Sequence, residues 1–120
     1  FWGPQPEFKA MYGVQRCIVG YSGGSEPNPS YSEMKDYTES VLVEFDRNLI
    51  DYETILKKWK SMIDPYPEKR QYRTAVFYLN QEQERVARFI CQDLDHVDVE
   101  PVTRLFLAEA RHQDFLARLG

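Results

Sequence analysis

Cys17-Ile18-Val19-Gly20-Tyr21-Ser22-Gly23-Gly24-Ser25-Glu26-Pro27-Asn28-Pro29-Ser30-Tyr31 is the stretch whose reading decides the fold. Its apolar opening reads as a buried strand, and the glycines after it release that strand into a loop where backbone can approach a ligand closely. Tyr21 is thereby delivered to the end of the strand. Read alone, the stretch is also consistent with a Gly/Pro-rich surface loop that carries tyrosines.

Upstream, Pro4 suits the first turn of a helix, where its missing N–H costs nothing, and Phe8, Met11 and Tyr12 follow at helical spacing. The spacing predicts a short helix from Pro4 to Met11, stopped at Gly13, and then a strand from Val14 to Tyr21. Downstream, Ser40 to Phe45 alternates, with Val41, Val43 and Phe45 on one face. Asp51 reads as the N-cap of a helix carrying Ile55, Leu56, Trp59 and Ile63, which ends at Asp64-Pro65. Thr74 to Leu79 is a β-branched and aromatic strand. Asn80 caps a helix with Val86, Phe89, Ile90 and Leu94 on one face. A last strand, broken at Pro101, lies within Val97 to Leu107, and Ala108 to Leu119 closes as a helix. This order predicts an α+β two-layer sandwich with a mixed sheet.

A chain of 120 residues with 42% hydrophobic content supports a single domain with one modest core. A net charge of −4 with dispersed basic residues argues against a nucleic-acid partner. No apolar run reaches the roughly 20 residues needed to cross a bilayer, and no secretory leader is evident, so a cytoplasmic protein without membrane contact is expected, an organelle remaining open. Two cysteines, Cys17 and Cys91, are too few for a disulfide framework and lack zinc-ligand spacing. No metal and no cofactor are expected, and a monomer is. The chain opens on Phe1 without an initiator Met, which suggests a natural start further upstream.

Phe1-Trp2-Gly3, Tyr37-Thr38-Glu39, Gln71-Tyr72-Arg73 and Ala108-Glu109-Ala110-Arg111-His112-Gln113-Asp114-Phe115-Leu116 accompany the glycine loop in order along nearly the whole chain. Together they resemble the peptide methionine sulfoxide reductases of the A type. That family reads Gly-Cys-Phe-Trp-Gly at its nucleophile, Gly-Tyr-Ala/Ser-Gly-Gly with Pro-Asn-Pro-Thr/Ser-Tyr after it, then His-Ala-Glu, Gln-Tyr-Arg and Ala-Glu-x-Tyr-His-Gln-x-Tyr/Phe-Leu. The resemblance implies a ferredoxin-like core, and a first strand and nucleophile segment lying just before Phe1. It also implies thiol-dependent reduction of methionine-S-sulfoxide, free or in proteins, with thioredoxin or another external thiol as reductant.

Sulfoxide reduction needs a thiolate to attack sulfur, a proton for the departing oxygen and a dry cradle for the S-methyl group. The helix N-terminus at Pro4 would favour a thiolate just before Phe1. Phe1 and Trp2 supply ring faces for the methyl group. Glu39, desolvated among aromatic residues, would stay protonated as the acid. Tyr21 and Tyr72 are phenols that could hydrogen-bond the same oxygen as charge grows on it. Gly3 and Tyr37 belong to the matching segments and are assigned to substrate binding with Phe1 and Trp2. Cys17 and Cys91 read as inert core thiols, and His112 and His96 as packing residues rather than bases.

Two departures stand out. The loop before Gln71 is short, so the family's aspartate beside the oxygen site has no clear counterpart, and Glu68 is a stand-in for it. His-Ala-Glu has become Tyr37-Thr38-Glu39. A non-catalytic relative that binds oxidised or S-methyl side chains therefore remains the alternative, and the residue before Phe1 separates the two.

Overall fold

The computed structural model describes residues 1–63 and 73–115. Helix α1 (Pro4–Lys9) carries Pro in its first turn and buries Phe8. It is shorter than the spacing predicts, because the chain leaves the helix at Ala10 and turns through Gly13, whose φ of 92° only glycine adopts freely. Strand β1 (Val14–Ser22) follows, antiparallel to β2 (Thr38–Phe45). β2 begins two residues earlier than expected, so Glu39 lies inside the strand instead of before it. Val41, Val43 and Phe45 share the inward face, packing near Phe8 and Cys17.

Helix α2 (Tyr52–Lys60) starts where Asp51 predicts: its carboxylate accepts from the Thr54 N–H at 2.8 Å. Strand β3 (Ala75–Tyr78) leads into α3 (Gln81–Ile90), capped by Asn80, which accepts from the Gln83 N–H at 2.9 Å. Gln83 Oε1 in turn accepts from the Leu79 N–H, also at 2.9 Å. α3 turns Ala87, Ile90 and Cys91 inward against Leu56 and Val76. Phe89, expected on that face, points to solvent with 59% of its surface exposed.

The region from Val97 to Leu107 holds two short strands instead of one: β4 (Asp98–Pro101), parallel to β3, and β5 (Phe106–Leu107), antiparallel to β1. Pro101 ends β4, as a residue without a ladder donor should. The architecture is α+β with both strand orientations, but the described strands form two sheets, β2-β1-β5 and β3-β4, where one mixed sheet was expected. Arg73 ties them together. Its guanidinium donates to Asp98 at 2.9 Å and Glu100 at 3.2 Å on β4, to Thr38 Oγ1 at 2.5 Å on β2, and to the Gly23 carbonyl at 3.2 Å after β1.

The closing helix is not continuous from Ala108 as expected, although Phe115, the last described residue, is α-helical. Beyond β5 the chain makes a single 3-10 turn (Ala110–His112), becomes extended at Gln113 and takes a positive φ of 53° at Asp114. Side-chain amides explain the interruption. Gln113 accepts from the Val19 N–H at 3.0 Å and donates to the Val19 and Ala108 carbonyls at 2.9 and 3.1 Å, extending the β1–β5 ladder with a side chain. Buried Gln5 accepts from the Asp114 N–H at 2.8 Å and donates to the Cys17 carbonyl at 3.0 Å. The tail is thus fastened beside the middle of β1.

Candidate active site

Four segments converge where α1 begins and β1 ends. Phe1 packs at a tilt against Tyr21, Tyr31 and His112, with ring centroids 6.0, 6.5 and 5.6 Å away. Trp2 lies nearly parallel to Phe115 at 4.0 Å, His112 at 5.6 Å and Tyr31 at 5.9 Å. Its indole N–H donates to His112 Nδ1 at 3.0 Å. The two residues expected to cradle a methyl group therefore belong to one aromatic layer. Tyr31 and His112, to which the sequence assigned no site role, complete it.

Tyr21 is fully buried, and its hydroxyl donates to Glu109 Oε1 at 2.7 Å. Burial pushes its pKa upward, and the bond to Glu109 adds to the rise. The other Glu109 oxygen accepts from the Tyr31 N–H at 3.3 Å. Burial works to raise the Glu109 pKa, but the bond from Tyr21 and those from backbone N–H groups outweigh it and hold the carboxylate ionised. Glu109 was visible in the Ala108-Glu109 segment, yet nothing in the sequence linked it to Tyr21, 88 residues away.

Glu39 is Tyr21's direct partner across the β1–β2 ladder. Its side chain is 6% exposed, and Oε2 lies 3.6 Å from the Phe1 nitrogen. Burial raises its pKa, and the Phe1 ammonium partly offsets the rise. Glu39 and Phe1 both line a cleft of about 350 Å³ between β2 and β3, whose walls are otherwise mainly apolar and include Val41, Val43, Val76 and Ile55.

Tyr37 is buried in one cluster with Val19, Tyr21 and Met34, against which Phe1 and Tyr31 also pack, and meets Phe106 edge-on at 5.5 Å. Gly3 caps α1 at the surface, and a Cβ there would meet nothing within 4 Å, so its space is not needed by the fold. Gly20 is the glycine with a packing duty: a Cβ there would lie 2.3 Å from the Phe106 carbonyl oxygen. Tyr72 and Glu68 lie outside the described residues. Cys17 and Cys91 are both buried, and burial pushes the Cys17 thiol up to about 11 and the Cys91 thiol upward. Among the described residues, no three His, Cys, Asp or Glu side chains cluster to hold a metal, and no helix is long and apolar enough to cross a membrane.

This geometry can be set beside known proteins. The family model described as peptide methionine sulfoxide reductase matches residues 1–119. The peptide methionine sulfoxide reductase MsrA of Nitrobacter winogradskyi is 35% identical, the match covering 99% of this chain and 75% of that protein. MsrA of Thermus thermophilus is 33% identical, with 98% and 77% covered. The alignment with the Nitrobacter protein runs over 135 positions, more than this chain has, so that relative carries insertions this chain lacks. Among solved structures, methionine sulfoxide reductase A of Corynebacterium diphtheriae superposes with a TM-score of 0.87 at 26% identity, covering 98% of this chain and 69% of that one. Mxr1 of Saccharomyces cerevisiae in reduced form has the same fold, with a TM-score of 0.87 at 20% identity and 98% and 80% covered. The chain belongs to the peptide methionine sulfoxide reductase family.

Proposed function

We infer that this protein reduces methionine-S-sulfoxide, free or in proteins, back to methionine, and so repairs oxidised proteins. The observation that carries the reading is the juxtaposition at Phe1: a buried carboxyl, Glu39, 3.6 Å from the Phe1 nitrogen, and an aromatic layer around the Phe1 and Trp2 rings. Family membership does not favour the alternative of a binding module without turnover.

The nucleophile in this reading is a cysteine immediately before Phe1, its thiolate favoured by the N–H groups opening α1. Its sulfur attacks the sulfoxide sulfur while Phe1 and Trp2 hold the S-methyl group away from water. Glu39 gives its proton to the sulfoxide oxygen, with Tyr72 as a further donor. The oxygen passes to the cysteine as a sulfenic acid, and methionine leaves. One external thiol then forms a mixed disulfide with release of water, and a second thiol frees the cysteine and leaves as part of an external disulfide. Thioredoxin is such a reductant, and a reducing compartment such as the cytoplasm supplies it. No nucleic acid, membrane or second copy of the chain is required by this chemistry.

In this reading residues 1–120 form one domain completed by a strand before the nucleophile. The cleft between β2 and β3 supports it, because a strand placed there would join the two sheets. The test is a single turnover of the full-length protein with one equivalent of methionine sulfoxide and no reductant. The expected product is a sulfenic acid trapped by dimedone on the residue before Phe1. Methionine formed without any modified cysteine, or no methionine at all, refutes the reading.

A further inference from the structure

The imidazole of His112 is contested. Trp2 Nε1–H approaches Nδ1 at 3.0 Å and the Arg111 Nε–H approaches Nε2 at 3.1 Å. Both groups only donate, and a neutral imidazole carries one lone-pair nitrogen, so it can accept from one of them at a time. Arg111 is two-thirds exposed and also lies 3.5 Å from Glu109 Oε2, whereas His112 is 4% exposed beneath the rings of Phe1, Trp2 and Tyr31. In the related segment quoted above, the position of Arg111 is a tyrosine, so the competitor is a feature of this chain.

We propose that His112 is a positioning residue for Trp2, and that Arg111 competes with Trp2 for its single lone pair and so tunes how firmly the methyl-binding ring is held. With the proton on Nε2, Nδ1 accepts from the indole and Trp2 is fixed in orientation as well as stacked. With the proton on Nδ1, Arg111 is satisfied, and Trp2 faces a second donor and must shift. The fraction of the first tautomer sets the fraction of protein with a formed cradle, and apparent affinity scales with that fraction. The proposal rests on the reading of Trp2 as substrate-binding.

The test compares His112→Asn with His112→Phe in the full-length protein, each with and without Arg111→Met, reading KM and kcat for methionine sulfoxide. Asn keeps an acceptor at the Nδ1 position and presents nothing to Arg111, while Phe keeps a ring and loses the acceptor. Phe should raise KM about tenfold with kcat nearly unchanged, the worth of one lost hydrogen bond, and Asn, although it removes the ring that packs on Trp2, should raise it clearly less than Phe does. Arg111→Met should lower KM about two- to threefold in the parent and have no effect beside either His112 substitution. The Trp2 indole N–H resonance, assigned in a Trp59→Phe background, should move in His112→Phe and stay near the parent position in His112→Asn. Equal KM values for Asn and Phe variants that retain folded spectra overturn the proposal, as does an Arg111→Met effect that persists beside His112→Asn. If Trp2→Ala leaves KM unchanged while the indole resonance still responds to His112, the cradle reading is what fails.

Discussion

Tyr21 and Glu39 face each other as direct partners in the β1–β2 ladder, one fully buried and the other nearly so. Directly opposed residues of an antiparallel pair share a face of the sheet, and after burial and Glu109 the Glu39 carboxylate is a further group that disfavours ionisation of Tyr21. Glu109 beyond Tyr21 is ionised and already takes the phenol's proton in a hydrogen bond. A second carboxylate beside that pair would be costly, which is a physical reason for Glu39 to remain the proton carrier.

Glu39→Gln should therefore lower kcat by roughly 10²- to 10⁴-fold with little change in KM, because the amide keeps the shape and loses the transferable proton. Burial holds the parent's carboxyl protonated above its ordinary range. The Phe1 ammonium that opposes this stands where a peptide N–H would be if a residue precedes Phe1, so burial is the cause that persists. Since the acid form is the active one, parent kcat should fall as pH rises through the raised pKa, and the Gln variant should lack that limb. Steady-state kinetics from about pH 5 to about pH 9 read both effects; equal activity of variant and parent across that range refutes the assignment.

Trp2→Ala should raise KM about tenfold while leaving a folded protein, since the ring lies at the mouth of the aromatic layer and α1 is anchored independently by Phe8. Kinetics paired with thermal melting decide it. A markedly lower melting temperature with unchanged KM makes Trp2 a core residue.

The glycine loop was legible because its chemistry is local: an apolar run followed by glycines marks a strand end, and Asp51 and Asn80 announce their helices by side-chain caps. The misses were non-local. Gln113 looked like part of a helix until its amide proved to pair with Val19, 94 residues earlier. Tyr37 entered the site only as part of the Tyr37-Thr38-Glu39 segment, and its burial beside Tyr21 and edge-on to Phe106 was not legible from that segment. Glu109, Tyr31 and His112 were all within quoted segments, but only the folded chain brings them to Tyr21 and Trp2.

Gly20→Ala and Gly3→Ala should part company in thermal melts. The first drives a methyl into the Phe106 carbonyl, where β1 and β5 pair, and should cost about 1–3 kcal/mol or more. The second adds a methyl in open space at a φ of −71° and should be neutral or stabilising by up to about 1 kcal/mol. Similar losses for both would show that Gly3 has a packing duty after all.

Substituting Cys17 and Cys91 together with Ser should leave multiple-turnover reduction with dithiothreitol within about twofold, measured well below the variant's melting temperature, because packed thiols with raised pKa values neither attack nor resolve. Mass spectrometry of a parent sample after one turnover without reductant provides the check. A mass lower by two hydrogens, mapped to a bond between either cysteine and the nucleophile, would show that the chain resolves itself.

The measurement that bears most directly on the whole account is chromatographic detection of methionine formed from the separate S and R epimers of methionine sulfoxide by full-length protein with dithiothreitol. Many turnovers on the S epimer are expected, with the Glu39→Gln variant slower by at least about 100-fold. Folded protein that yields no methionine from the S epimer, or that yields it equally well without Glu39, would contradict it.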